Sequence, residues 1–190
     1  PDFDELVNEV SIYIGIPFCP TKCAYCTFPA YSIQGQGDLV SRFLQSLHYE
    51  IEQIGNWLSK NNVKITTIYF GGGTPTSISA TEMDELYRKM AQFFPNVKNV
   101  RELTVEAGRP DTIDEKKIDV LKKWNVDRIS VNPQSFKEET LMAIGRHHTV
   151  KETIEKYKLA YDRGLTNINM DLIIGLPGES VEDFSHSLSV

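Results

Sequence analysis

Three cysteines stand within eight residues of one another, in Cys19-Pro-Thr-Lys-Cys23-Ala-Tyr-Cys26, and they are all the cysteines the chain has. A loop with thiols at i, i+4 and i+7 can wrap so that three sulfurs meet at one centre. A structural zinc site wants four ligands, so a zinc-stabilised module would need a fourth, for which His48 is a candidate. Iron–sulfur clusters are held by Cys thiolates, ordinarily four. Three thiolates on a four-iron cluster would leave one iron open to a substrate or cofactor. Three unrelated structural cysteines are the remaining reading, and the tight spacing weighs against it. An odd number of cysteines also argues against a secreted disulfide framework.

Other residues able to do chemistry recur where apolar stretches end. Gly71-Gly72-Gly73-Thr74 closes one stretch; glycines there let backbone N–H groups approach a ligand, or simply allow a tight turn. Glu106 closes another, where a carboxylate accepts hydrogen bonds from a ribose or an ammonium group, or merely starts a helix. Gln134 can both donate and accept. Asp171 lies inside the apolar run 167–174, where an unpaired carboxylate is costly to bury. It is therefore either functional or held in an internal salt bridge. Arg146, in Ile144-Gly-Arg-His-His148, offers a fork of donors suited to a carboxylate. The two histidines beside it read as solvated loop residues. Tyr13 points from its strand toward the interior of the fold, as core or as a ligand contact.

These residues need elements to carry them, and strand followed by helix recurs along the chain. Residues 11–18 are β-branched and aromatic up to a proline and predict a strand. Over 38–59, Leu39, Phe43, Leu44, Leu47, Ile51, Ile54 and Leu58 keep the three-and-four spacing of one helix face. Further strands are predicted at 64–70, 102–107, 128–131 and 167–174. Helices are predicted at 81–94, 114–124, 137–144 and 150–163, with Gly164 closing the last. Ser180 and Asp183 open one more as a capping box. Five βα units imply a parallel sheet, because parallel neighbours need crossovers. An open doubly wound sheet and a complete or partial barrel both fit. The candidate residues follow all five strands, which favours a barrel rim over a single switch point. No linker interrupts the chain, so residues 1–190 read as one domain. A start at Pro1 and a stop inside the last helix read as a fragment of something longer.

Composition narrows the class. With 41% hydrophobic and 24% charged residues, the chain can bury a sizeable core. Its 20 Lys and Arg against 26 Asp and Glu leave a net charge of −6, the wrong sign for a general nucleic-acid binder. No apolar run approaches the roughly 18 residues of a membrane span, and no signal segment opens the chain. Reduced thiols and the absence of a signal segment make a bacterial cytoplasmic protein the expectation.

The Cys-x3-Cys-x2-Cys spacing, with Tyr25 just before the third cysteine, resembles the signature of the radical S-adenosylmethionine superfamily. It follows the first predicted strand, where that superfamily's partial barrel carries it. Y-I-G-I-P-F-C, G-G-G-T-P-T, V-E-A, Gln134-Ser135-Phe136, I-G-R-H-H and D-L-I-I-G-L-P-G-E then follow in order. Together they resemble the oxygen-independent coproporphyrinogen III oxidase family across essentially the whole chain. E-A-G-R-P with N-P-Q-S-F is most similar to its Firmicute-type coproporphyrinogen dehydrogenase branch.

The resemblance implies a partial (β/α)6 barrel, here with about five βα units and cut short at the C-terminus. It implies a 4Fe–4S cluster on Cys19, Cys23 and Cys26, whose fourth iron is chelated by the amine and carboxylate of S-adenosylmethionine. Tyr13, Tyr25, Gly72, Gly73, Thr74, Glu106, Gln134, Arg146 and Asp171 would contact that cofactor. A flavodoxin or ferredoxin would deliver one electron, and reductive cleavage would yield methionine and a 5′-deoxyadenosyl radical. That radical would take a hydrogen from the β-carbon of a propionate. Loss of carbon dioxide and an electron would leave a vinyl group, converting coproporphyrinogen III to protoporphyrinogen IX. A tetraanionic substrate calls for cations, and Arg109 and Arg146 are candidates. Two positions depart from the family: Phe28 stands where oxidases have a fourth cysteine, and Gly15 where many have His. The family's haem-binding chaperones also lack that cysteine, so the partner molecule is a porphyrinogen or a haem-like tetrapyrrole. Protein purified without oxygen should contain iron and acid-labile sulfide; zinc without sulfide would exclude the cluster.

Overall fold

Side-chain alternation decides which face of each strand meets the core. In the computed structural model, which describes residues 8–190, β1 (Glu9–Ile16) buries Ile14 and Ile16 and turns Ser11 and Tyr13 outward. The expectation attached to Pro1 lies outside the described residues. Pro17, lacking an N–H, ends the ladder two residues earlier than predicted. The chain resumes as β2 (Phe18–Cys19), which pairs in parallel with β3 (Tyr31–Ser32) and so closes the cysteine loop at its base. The helix α1 (Gly37–Lys60) follows, then β4 (Lys64–Gly72). Ser79 and Glu82 form a reciprocal capping box that opens α2 (Ala80–Phe93). Next come β5 (Glu102–Glu106), α3 (Glu115–Lys123), β6 (Arg128–Ser130), α4 (Glu138–Ala143) and α5 (Val150–Asp162). The described chain ends with β7 (Ile168–Asn169) and α6 (Val181–Ser189), the latter capped by Ser180 and Asp183 as predicted.

Five strands form one parallel sheet in the order β1-β4-β5-β6-β7. Each new strand is added on the same side of the last, so there is no reversal and no switch point. That order is the order of a barrel sector. It settles the choice that βα repetition alone leaves open, in favour of a partial barrel. Core residues occupy one face only: Ile14, Ile16, Ile68, Phe70, Leu103, Val105 and Ile129 are all buried beneath the helices. The opposite face carries Ser11, Tyr13, Thr67, Tyr69, Glu102, Glu106, Arg128 and Ser130, a polar set. Among the described residues, no helix is long and apolar enough to cross a membrane.

Two predicted elements change. The strand expected over 167–174 is only two residues long, although Leu172 makes an isolated parallel bridge with Gln134. Its neighbour beyond β6 contains Pro133, which cannot donate, so the ladder survives as separate bonds. Gln134 N–H donates to the Asp171 carbonyl at 3.0 Å, and Ile173 N–H to the Gln134 carbonyl at 3.0 Å. On α1 the buried stripe runs through Val40, Leu44, Leu47, Ile51 and Leu58, whereas Leu39 and Ile54 are each 41% exposed. The stripe continues through Gly55, because α2 crosses there. A Cβ at Gly55 would lie 2.5 Å from the Phe93 carbonyl oxygen. Gly55→Ala should therefore destabilise by about 1–3 kcal/mol despite its better helix propensity. Urea unfolding of the two forms measures the difference.

Candidate functional site

Because the strands are parallel, their C-terminal ends share one rim, and the cysteine loop is fastened to it. Cys19 ends β2 with its Sγ 3.3 Å from Thr74 Oγ1, just past the end of β4. Cys23 is buried, and Cys26 is half-buried with its N–H donating to the Cys23 carbonyl at 3.1 Å. Burial pushes the Cys19 thiol up, Thr74 and Arg109 pull it down, and Cys23 and Cys26 push it up again. The three thiols thus share one electrostatic neighbourhood. Among the described residues, no three His, Cys, Asp or Glu side chains close on a single ion. Ligands of a cluster bind separate irons and stand farther apart than ligands of one ion. His48, the candidate fourth zinc ligand, lies on α1 beside Glu85 and Lys89 of α2, with burial lowering its pKa.

Glycines at the end of β4 serve the chain's own backbone first. The N–H of Gly73 donates to Ile16 at 2.9 Å and that of Thr74 to Phe18 at 2.8 Å. The expected N–H donors to a ligand are therefore already used at these two positions. What the glycines provide is closeness. Gly72 has φ +103°, and a Cβ at Gly73 would lie 2.7 Å from the Phe18 carbonyl oxygen and 3.1 Å from Cys19 Sγ. The absent Cβ keeps one thiol clear.

Two buried guanidiniums hold the loop. Arg146 donates through Nη1 to the carbonyls of Gly108 (3.1 Å) and Asn132 (3.0 Å), and through Nη2 to the Tyr25 hydroxyl (2.9 Å). The fork expected to receive a carboxylate is thus turned onto its own chain. Its Nε, buried and without a partner, is the donor left over. Arg109, a candidate for substrate contact in the sequence, is 2% exposed and bonded to Thr21, Asp111 and Cys23. It faces the back of the loop and cannot meet a tetrapyrrole.

On the open face, Tyr13 stacks on Tyr69 with ring centroids 5.9 Å apart. Tyr69 donates to Glu106 Oε1 at 2.6 Å. Burial raises the Glu106 pKa, the Tyr69 hydrogen bond lowers it, and the charge of Asp171 raises it further. Asp171 itself is exposed and accepts from Asn169 Nδ2 at 2.8 Å. The cost of burying it does not arise, because alternation places Asp171 on the open face with Asn169. Gln134 is buried with φ +69°, a left-handed backbone uncommon for Gln, while bonded on both sides to the segment after β7. Tyr25 sits in the cysteine loop, and Glu106, Gln134 and Asp171 lie at or just beyond the ends of β5, β6 and β7, while Tyr13 sits deeper, paired with Tyr69 in mid-strand.

One residue escaped the sequence. His148 reads as a solvated neighbour of His147, yet it is 2% exposed, with the backbone of Pro133 beside its ring. The signal was its place two residues after Arg146, whose buried guanidinium carries the segment inward. Burial, then Arg146, hold its pKa down to about 4 against the opposing pull of Asp111. The folded protein keeps His148 neutral where the unfolded chain, near pH 6.5, takes a proton. Stability from this site is complete above pH 6.5 and is lost as pH falls toward 4. His148→Phe should flatten that acid limb by about 3 kcal/mol, read from thermal unfolding between pH 7 and 4.

Similarity to known proteins agrees with this geometry. The family model described as Radical SAM superfamily matches residues 13–189. The chain is 69% identical over 189 residues to the oxygen-independent coproporphyrinogen-III oxidase-like protein HemZ of Bacillus subtilis, covering 100% of this chain and 38% of that protein. It is 36% identical over 179 residues to the heme chaperone HemW of the same organism, covering 94% of this chain and 46% of that one. Among solved structures, coproporphyrinogen III oxidase (HemN) of Escherichia coli superposes with a TM-score of 0.84 at 26% identity, over 94% of this chain and 40% of the enzyme. The chain therefore spans less than half the length of each of these relatives. With a family model covering nearly all of its described length, and with the thiols, glycines and parallel rim in place, the chain belongs to the radical SAM superfamily.

Proposed function

We propose that this domain is the radical-generating part of a longer protein that oxidatively decarboxylates coproporphyrinogen III propionates to vinyl groups. The observation that carries the reading is the placement of three free thiols on one rim, beside a sheet face lined by polar side chains. An ordinary (β/α) barrel fills its interior with branched apolar side chains. This face instead carries hydroxyls, carboxylates and a guanidinium, the lining that a polar cofactor needs.

Cys19, Cys23 and Cys26 are the residues that would hold a 4Fe–4S cluster. Three thiols on one loop, with the space beside Cys19 kept clear by Gly73, fit it. When bound, the cluster and S-adenosylmethionine supply a one-electron cleavage that yields a hydrogen-abstracting carbon radical. The chain's own contribution is position and exclusion of water. Tyr25 is fixed by Arg146 and steadies the loop between the second and third thiols. Gly72, Gly73 and Thr74 line the approach from β4. Glu106, with its raised pKa and one oxygen occupied by Tyr69, offers its second oxygen to a ribose or ammonium donor. Tyr13 gives that region an aromatic wall. Gln134, Asp171 and Arg146 complete the proposed cofactor contacts, Arg146 through its hold on Tyr25. The electron would come from a flavodoxin or ferredoxin, and the whole would work in the cytoplasm.

A second reading has its own support. Phe28 is 55% exposed where oxidases of the family carry a fourth cysteine. The similarity to a heme chaperone covers 94% of the chain. In that reading the cluster is kept, and the tetrapyrrole is bound without turnover. The full-length protein, reconstituted anaerobically with S-adenosylmethionine, a reductant and coproporphyrinogen III, should form 5′-deoxyadenosine and a vinyl product. Cys26→Ala should reduce both to background. Absence of 5′-deoxyadenosine with the porphyrinogen would overturn the oxidase reading, and stoichiometric haem binding in the same preparation would select the chaperone.

A further inference from the structure

Arg109 stands just past the end of β5, behind the cysteine loop and away from the open face. Its Nη1 and Nη2 each lie 3.2 Å from Thr21 Oγ1, and Nη1 also lies 3.4 Å from the Thr21 carbonyl. Nε and Nη2 grip the two oxygens of Asp111 at 3.0 and 2.9 Å. The remaining reach of Nη1 goes to Cys23 Sγ at 3.5 Å. A guanidinium does not lose its proton in proteins, so this is a permanent charge aimed at a thiol. Cys23 is the buried member of the trio, and the Arg109 side chain is 2% exposed against 21% for Asp111. The cation is therefore shielded from water on the side of the sulfur, while its counter-charge lies on the wetter side. Charges in such low-dielectric surroundings are felt more strongly than in solvent.

We propose that Arg109 is a positioning residue that sets the electron affinity of the iron–sulfur centre through its donation to the Cys23 thiolate, with Asp111 as the opposing charge. The inference rests on the three-cysteine cluster reading above. Reduction adds one electron from a donor of the flavodoxin or ferredoxin class; no bond is made or broken at Arg109 and no proton leaves it. The added negative charge is stabilised by a cation on a ligand sulfur. Hydrogen bonds to sulfur, net charge and solvent exposure are what tune such potentials. Removing the cation lowers the potential, and removing the carboxylate raises it.

The test is a potentiometric titration followed by electron paramagnetic resonance on the full-length, anaerobically purified protein, with iron and sulfide quantified. Arg109→Gln should shift the one-electron equilibrium against reduction by at least tenfold, about 59 mV. Asp111→Asn should shift it the other way, and Arg109→Lys should fall between Arg109→Gln and the parent. A clamp with no electrostatic role would change iron content while leaving the midpoint of the remaining cluster unmoved. If Arg109→Gln does not fold, Arg109→Lys and Asp111→Asn decide the matter. Midpoints equal to the parent in cluster-loaded variants, or shifts of one sign for both charges, overturn the inference alone. A parent protein without iron and sulfide overturns the cluster reading and this inference with it.

Discussion

The cysteine loop between β2 and β3 has no regular structure of its own, and two buried arginines give it a shape. Burying a guanidinium is costly unless its donors are occupied. Arg146 spends three bonds on carbonyls beyond β5 and β6 and on Tyr25. Arg109 divides its donors among Thr21, Asp111 and Cys23. Each arginine thereby couples a residue of the loop to the end of a strand or to the turn after it. The positions of the thiols follow from the positions of strand ends, and a shift of the rim would be felt at Cys23 and Cys26. The small β2–β3 ladder closes the same loop at its base.

The second constraint is one-sided burial. Helices cover the face of the sheet that carries Ile14, Ile68, Val105 and Ile129, and the other face is left to polar side chains. Parallel strands buried on both faces read as continuous apolar runs. Here β1 alternates instead, from Ser11 and Tyr13 to Ile14 and Ile16. That alternation is stabilising only if the open side holds water or a polar ligand. The Tyr69–Glu106 hydrogen bond and the Tyr13–Tyr69 stack show how the face is kept ordered: each side chain is held by its cross-strand neighbour.

Local signals were read well where local physics sets the outcome. The capping box at Ser180 and the glycine closing α5 need only neighbouring residues, and both stand as expected, with Gly164 at φ +92°. The long stripe on α1 was legible in period but not in phase, because Gly55 makes room for α2 and draws Val40 inward while Leu39 and Ile54 turn out. The strand holding Asp171 looked longer than it is, since nothing within 167–174 announces that its neighbour contains Pro133. The burial of Arg109, Arg146 and His148 is not legible in the sequence, for a shared reason. Charged and titratable residues in loops look solvated, and only packing against a distant segment reveals that they are buried.

Residue type and spacing by themselves determined that three thiols would lie together on the loop after the first strand, and that parallel βα units would bring the candidate residues to strand ends. Those properties are local: a seven-residue interval, a strand-breaking proline, an alternating pattern. The tertiary structure decided the rest. Strand order chose a barrel sector over a doubly wound sheet, and face parity moved Asp171 into the open. Arg109 went behind the cysteines instead of into the path of a substrate. Each of these depends on contacts between residues tens of positions apart, such as the 86 separating Cys23 from Arg109, and such contacts exist only once the sheet has assembled.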